Sequence, residues 1–218
     1  MKKELSVRYT TLCVGLYVMS LGIALSVRAN LGITPISCPP YVLSLGFSPT
    51  IGEFTIAMHL LFIIGQMILL GHEFQKRQFL QVLVAFVFGF FIDINDWLLR
   101  WAVTDNMILR LAMLVMSCAI LGVGIILEVK AQAIYLAGEG IMLAIAKRAS
   151  VPFPRVKMTF DVCLMLSGVI FSLLMFGTFR GVGVGTVISA FLVGIMVKLI
   201  TPYMQWVDHL IPGNTVTA

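Results

Sequence analysis

Residues 28–49, RANLGITPISCPPYVLSLGFSP, separate two long apolar runs and decide the fold of this chain. Pro35, Pro39 and Pro40 lack a backbone donor and clash with the preceding helical turn, so no regular helix crosses the whole stretch. The uninterrupted apolar piece, residues 41–45, is far shorter than the roughly 20 residues that a membrane-spanning helix needs. Irregular backbone at membrane depth is tolerated only where protein or a water-filled cavity satisfies its polar groups. The stretch therefore predicts either a re-entrant half-helix that lines a cavity or a segment at the membrane interface, and we favour the half-helix.

The composition predicts an integral membrane protein. Of 218 residues, 60% are hydrophobic and 11% are charged, and the mean hydropathy is +1.03. A soluble domain carries about 25% charged residues. The net charge of +5 does not indicate nucleic-acid binding, because the basic residues lie between apolar runs and form no single face. The four cysteines occur singly, so we expect small buried hydrophobic residues and no disulfide, metal or cofactor.

Six apolar runs are long enough to cross a bilayer: residues 8–27, 51–71, 79–99, 107–127, 158–176 and 181–200. The polar links between them are short. We therefore predict an all-α membrane protein with six transmembrane helices, in one domain over residues 1–218. With the N-terminus in the cytoplasm, 11 of the 15 basic residues fall on the inner side, and four fall outside: Arg28, Arg100, Arg110 and Arg180. This positive-inside bias predicts that the N- and C-termini are both cytoplasmic.

A second interrupted stretch occurs about a hundred residues after the first, at residues 128–150, EVKAQAIYLAGEGIMLAIAKRAS. Its flanks correspond to those of the first, with Gly22 matching Gly122 and Gly65 matching Gly168. Because each half crosses the membrane three times, the second half is predicted to be inverted relative to the first. Interrupted segments at corresponding positions of two halves indicate a transporter binding site. We predict repeats at residues 8–100 and 107–203, each with a re-entrant half-helix; the alternative is a pair of interfacial amphipathic loops.

Three short motifs resemble a known family. They are LG-x6-AxLGxxP, which ends at Pro35, then Phe88-Gly89 followed by Asp93, and RVKMTFD at residues 155–161. These motifs resemble the YczE/YyaS-type bacterial membrane proteins, which are related to the YitT-like proteins. The resemblance covers nearly the whole chain and implies a bacterial inner-membrane protein, but it supplies no substrate. The second interrupted stretch departs from the pattern, because residues 129–135 lack the LGxxP of the first.

Polar residues of the two interrupted stretches are the candidate substrate-binding residues: Arg28, Asn30, Thr34, Ser37, Tyr135 and Glu139. Arg28 would attract an anionic group, aided by the positive end of the first half-helix near Thr34 and Ser37. Glu139 lies between two glycines, whose backbone freedom suits a cavity wall, and Tyr135 would add an aromatic surface. The alternatives are that Arg28 snorkels to an interface and that Glu139 is a solvated loop residue.

Asp93, Asp96 and His59 are the candidates for binding a coupling ion or proton. Asp93 and Asp96 are three residues apart on one helical face, and carboxylates inside a bilayer are functional candidates by default. His59 lies near the middle of the second apolar run, where its near-neutral pKa would suit proton relay. Asp96 has an alternative as an ordinary interface residue beside Trp97 and Arg100, and His59 as a hydrogen-bonded core residue.

These features predict a secondary transporter or facilitator of a small molecule that works by alternating access, with a proton or Na⁺ as the coupling ion. The alternative is a non-transporting membrane partner that docks a cytoplasmic enzyme through its basic inner loops. We expect no enzymatic activity, since the chain has no GxSxG or HExxH motif. The expected partners are the lipid bilayer and the unidentified substrate, with a second copy of the chain as a further candidate.

Overall fold

The computed structural model describes residues 2–211, which are helical with no strand. The α-helices are α1 (Lys2–Ala29), α2 (Cys38–Gly46), α3 (Ile51–Leu70), α4 (Leu80–Leu98), α5 (Met107–Ala131), α6 (Ala137–Ala149), α7 (Phe153–Phe176), α8 (Val184–Ile200) and α9 (Trp206–Leu210). Short 3-10 turns occupy Pro35–Ser37, Gly71–Glu73, Lys76–Phe79 and Thr201–Met204.

Six helical segments in the described part of the chain are long and apolar enough to cross a membrane. They are Glu4–Ala29, Ile51–Glu73, Lys76–Leu98, Met107–Ala131, Phe153–Phe176 and Val184–Met204, which confirms the six predicted spans. Large apolar side chains such as Leu61, Ile68 and Leu174 are exposed on the outer surface of the bundle. Because a soluble protein would not expose so much apolar surface, the chain is a multi-pass membrane protein.

The antiparallel pair α1–α5 forms the centre of the bundle, and glycines bring the two helices together. A Cβ added at Gly22 would lie 2.9 Å from the backbone nitrogen of Leu121, and one at Gly124 would lie 2.3 Å from Cγ of Met19. Such backbone contact is typical of membrane helices, where small residues permit close packing. Helix α4 packs beside α1, and α8 packs beside α5.

Helices α3 and α4 form a second antiparallel pair, held at the start of α3. A Cβ added at Gly52 would lie 2.1 Å from the carbonyl oxygen of Gly89, so the backbones touch here. The hydroxyl of Thr50 donates to one carboxylate oxygen of Asp93 (2.7 Å), and the backbone N–H of Gly52 donates to the other (2.9 Å). Asp93 therefore caps the N-terminus of α3, where backbone donors lack helical partners.

Helices α2 and α6 are the two short helices that the interrupted stretches predicted. Helix α2 is longer than residues 41–45, because Pro39 and Pro40 occupy its first turn, where the missing N–H groups would have no helical partner. Its nine residues measure about 13 Å, and the 13 residues of α6 about 20 Å, at 1.5 Å per residue. Neither helix has the length of a bilayer crossing.

Each short helix lies along the later half of a long one. Cys38 at the start of α2 contacts Gly168 in the middle of α7, and Gly46 at its end contacts Met175 near the end of α7. Helix α6 runs in the same way along α3: a Cβ added at Gly65 would meet Ile141, and Lys147 pairs with Glu73 (2.7 Å). The short helices therefore extend toward the ends of two different long helices.

The four cysteines are free, but their environments differ. Cys38 and Cys118 are buried, as the sequence predicts, whereas Cys13 and Cys163 are exposed. The expectation of four buried cysteines is therefore wrong for two of them. Their apolar flanks indicate a membrane segment, but not whether the protein or the lipid covers the side chain.

Candidate functional site

The starts of the two short helices meet inside the bundle. A Cβ added at Gly138, in the first turn of α6, would lie 2.6 Å from Cδ1 of Ile36, in the 3-10 turn that leads into α2. The chain enters both segments through a left-handed residue, Asn30 (φ 51°) after α1 and Gln132 (φ 47°) after α5. The macrodipole makes the start of each helix partly positive, so two such ends lie next to each other, although the two prolines in the first turn of α2 provide no N–H donor.

The start of α2 is held by its neighbours on α8. The backbone N–H of Ile33 donates to the hydroxyl of Thr186 (3.2 Å), and the N–H of Gly185 donates to the carbonyl of Leu31 (2.8 Å). Thr34 and Ser37 are both buried there, and the hydroxyl of Thr34 donates to that of Ser37 (3.2 Å). Two hydroxyl groups therefore lie beside the N-terminus of α2, where they can bind a polar group.

The start of α6 is held by side chains that the sequence did not single out. The backbone N–H of Leu136 donates to Oε1 of Glu128 (2.8 Å), and Nε2 of Gln66 donates to the carbonyl of Ala137 (3.2 Å) and to Oε1 of Gln81 (2.9 Å). Glu128 is only 2% exposed, and its second oxygen, Oε2, has no partner. The sequence feature that could have indicated this role of Glu128 is a carboxylate one turn before the end of an apolar helix, in a stretch that continues into a short helix.

Glu139 lies in the first turn of α6. Its Oε2 atom is enclosed and has no hydrogen-bond partner. Burial raises the pKa of the Glu139 carboxyl, while the ammonium group of Lys157 on α7 opposes that shift. The predicted ion pair between Lys157 and Asp161 is confirmed, at 3.4 Å.

The other predicted substrate-binding residues lie farther along the fold. Arg28 donates to the carboxylate of Asp96 and to its backbone carbonyl (2.7 Å), which ties the end of α1 to the end of α4. Asn30 and Tyr135 line two separate cavities. The structure thus places Thr34, Ser37 and Glu139 on the two helix starts that meet.

The three candidate ion-binding residues do not form one cluster. Asp93 and Asp96 bind different helices, α3 and α1, although they are three residues apart. His59 is 2% exposed and stacks on Phe88, with ring centroids 5.9 Å apart, and its Nδ1 atom has no partner. Among residues 2–211, no three His, Cys, Asp or Glu side chains are placed to hold a metal ion.

Comparison with known families identifies the chain at the level of the family. The sequence model of a family of unknown function, DUF6198, matches residues 6–202. The chain belongs to DUF6198. No curated protein and no solved structure matches it. Membership does not test the resemblance to the YczE/YyaS-type proteins, which stays a prediction.

Two cavities of this DUF6198 protein lie at opposite ends of the α1–α5 pair. One, of about 380 Å³, adjoins the end of α5 and is lined by Gln81, Ala133, Tyr135 and Lys147 among others. The second, of about 880 Å³, adjoins the end of α1 and the start of α5 and includes Asn30 and Arg180. Because α1 and α5 are antiparallel, the end of one helix lies beside the start of the other, and the two cavities open toward opposite sides of the bundle.

Proposed function

We propose that this DUF6198 protein is a secondary transporter or facilitator that moves a small molecule across the membrane by alternating access. Its two halves, residues 8–100 and 107–203, act as inverted repeats, and α2 and α6 are their re-entrant half-helices. The substrate passes between the starts of α2 and α6. This arrangement places helix N-termini and irregular backbone at the centre of the protein, where transporters bind polar substrates.

One observation carries this proposal: the contact of Ile36 with Gly138, from which α2 and α6 extend in different directions. Helix α2 follows α7 to its end, and α6 follows α3 to its end. In a chain with α3 and α7 crossing in opposite directions, the two short helices run from one central point to opposite membrane surfaces. If the two stretches were loops at opposite membrane interfaces, the starts of their helices would not be expected to contact each other.

Matching contacts in the two halves support the repeat. Gly168 faces Cys38, and Gly65 faces Ile141. Gly168 follows Gly65 by 103 residues, and Ile141 follows Cys38 by the same 103. A shift of 103 residues therefore turns Gly65 into Gly168 and Cys38 into Ile141, so the two contacts occupy equivalent positions in the two halves.

Two ion pairs match in the same way. Arg28, in the last turn of α1, binds Asp96 near the end of α4. Lys130, in the last turn of α5, binds Asp208 in α9, just beyond α8. The first pair joins α1 to α4, and the second joins α5 to the short helix α9 that follows α8, at the opposite end of the bundle. Such pairs would stabilise closed states of the two entrances.

The site is assigned from these positions. Thr34 and Ser37 would bind the polar part of the substrate, with Glu139 opposite them. Asn30 and Arg28 would lie on the route from one surface, and Tyr135 on the route from the other. Of the three coupling candidates, His59 is buried with an unpartnered ring nitrogen, whereas Asp93 and Asp96 are bound to other helices.

The orientation follows from the basic residues. The positive-inside bias supports cytoplasmic N- and C-termini. The proposed location, the bacterial inner membrane, rests on the resemblance to the YczE/YyaS-type proteins. The rival role, docking of an enzyme on the basic inner loops, has less support, because Lys147 already pairs with Glu73 and Lys157 with Asp161.

Thiol accessibility at Thr34 tests the proposal. In a chain without its native cysteines, we would introduce Thr34→Cys and apply a membrane-impermeant thiol reagent to right-side-out and inverted vesicles. Thr34 is 5% exposed, so we expect slow reaction, but from both sides, as each cavity opens in turn. The matched control retains only Cys118, which is fully buried in α5 and should not react. If Thr34→Cys reacts no faster than Cys118 from either side, while the denatured protein reacts fully, alternating access is excluded.

A further inference from the structure

Three carboxyl groups gather around the start of α6. Glu128 from α5 and Glu139 from α6 are close enough to interact electrostatically, and Asp161 from α7 interacts with Glu139. Lys157, also from α7, interacts with both glutamates and pairs with Asp161. With all three carboxyls ionised, this cluster would carry three negative charges against one ammonium group and the partial positive charge of a helix end.

Other charged groups near this cluster are engaged elsewhere. Lys130, half a turn after Glu128, binds Asp208 of α9. Arg8 of α1 donates to the carbonyl of Ala131 (3.5 Å) and to the side chain of Gln132 (3.3 Å). The nearby cations therefore have other partners, and the two glutamates keep excess negative charge.

One oxygen of each glutamate has no partner. Oε2 of Glu128 and Oε2 of Glu139 are enclosed and accept no hydrogen bond from the described residues. An ionised carboxylate only accepts hydrogen bonds, whereas a protonated one also donates. Ionising both groups would bring two like charges together at oxygens that no donor within residues 2–211 reaches, which is costly. A proton supplies the missing donor and removes one negative charge.

We propose that Glu128 and Glu139 form a carboxyl pair that binds one proton and is the proton-coupling site of the transporter. This inference rests on the proposed transport function. The proton attaches to an oxygen of the pair, forming one O–H bond, and leaves to water on the other side of the membrane when the opposite cavity opens.

The position of the pair explains how proton binding would reach the substrate. Oε1 of Glu128 accepts from Leu136, the residue that precedes α6, so the carboxyl is part of the helix start. The same start contacts Ile36 of the α2 segment. A change in charge at Glu128 and Glu139 therefore acts on both helix ends between which the substrate is proposed to pass.

Infrared spectroscopy of the purified full-length protein in lipid nanodiscs tests the pair. We expect the C=O stretching band of a protonated carboxylic acid at neutral pH, and its loss at alkaline pH. Glu128→Gln and Glu139→Gln should each remove the titrating band. Glu73→Gln is the matched control, because Glu73 is exposed and paired with Lys147, and it should leave the band unchanged.

The proposal is overturned if the wild-type protein shows no such band at neutral pH, or if either glutamine variant leaves the titrating band unchanged. The wild-type spectrum decides the first point even if a variant fails to fold. Glutamine retains an oxygen that can accept from Leu136, so we expect Glu128→Gln to keep the helical circular dichroism spectrum of the wild type.

The outcome is independent of the accessibility test at Thr34. A titrating band that depends on both glutamates, together with an unreactive Thr34→Cys, would retain the proton-binding pair and refute transport. A reactive Thr34→Cys without the band would retain transport and refute this coupling site.

Discussion

Gly168→Ala would test the packing of α2 on α7. The added Cβ would lie 2.3 Å from Sγ of Cys38, whereas atoms in contact prefer about 3.5–4.0 Å. Overpacking of this kind destabilises by about 1–3 kcal/mol. Alanine is favoured over glycine in a helix by about 1 kcal/mol, so the net loss in the free energy of unfolding should be about 0–2 kcal/mol.

A double variant isolates the contact. Once Sγ is removed by Cys38→Ala, the nearest atoms to the new Cβ are Cβ and the carbonyl carbon of residue 38, at 3.4 and 3.5 Å, which is ordinary contact. Cys38→Ala alone leaves a methyl-sized cavity that costs about 1 kcal/mol. In Gly168→Ala/Cys38→Ala the new methyl group fills this cavity, so we expect a favourable coupling energy of about 1–3 kcal/mol.

The assay is unfolding by SDS titration, followed by circular dichroism. Gly194→Ala is the control, because a Cβ there meets nothing within 4 Å, and it should be neutral or slightly stabilising. Gly65→Ala is the counterpart in the other half and should destabilise less, since its Cβ meets only the end of Ile141, at 3.0 Å. Additivity of Gly168→Ala and Cys38→Ala within about 0.5 kcal/mol would refute the proposed α2–α7 contact.

Two further predictions concern residues that the sequence singled out. Asp93→Asn should lower the free energy of unfolding by about 1–3 kcal/mol, because the carboxylate accepts hydrogen bonds from both Thr50 and Gly52 and an amide has only one acceptor oxygen. The control is Asp105→Asn, at an exposed position. Equal stability of the two variants in SDS titration would contradict the capping role of Asp93. Native Cys38 should not react with impermeant thiol reagents in the folded protein, since burial raises its pKa to about 12; a mass shift as rapid as in the denatured protein would show that α2 does not pack as described.

Much of the fold could be predicted because length and hydropathy decide which segments cross a membrane. The six spans and the two short helices follow from this rule together with the prolines of residues 28–49. Helix α2 begins at Cys38, before the uninterrupted apolar piece, because a proline is tolerated in the first turn of a helix. The depth and direction of α2 and α6 depend on long-range contacts such as Ile36 with Gly138, which no local pattern contains.

The site was less predictable. A polar residue in a membrane helix indicates that its side chain has a hydrogen-bond or charge partner, but the sequence does not show which residue that partner is. Asp93 and Asp96 share a helical face, yet one caps α3 and the other binds Arg28 at the end of α1. The sequence around Glu128 does not indicate a site, because this residue lies two residues before Lys130, a pattern typical of a membrane interface. Only the course of the chain after α5 brings the backbone of Leu136 back to its carboxylate.

Small residues explain which helices of this protein touch. Lipid chains are as apolar as leucine, so membrane helices associate through close packing and polar contacts. Gly15 and Gly124 lie in the α1–α5 interface, Gly52 and Gly89 join α3 to α4, and Gly168 admits α2 against α7. Within residues 2–211, helices α7 and α8 have no comparable interface with each other. The corresponding pair in the first half, α3 and α4, is joined by its glycines and also by the Asp93 cap, so the two halves are not packed equally. We expect lipid to cover the apolar faces of α7 and α8 that no helix in the described part of the chain contacts.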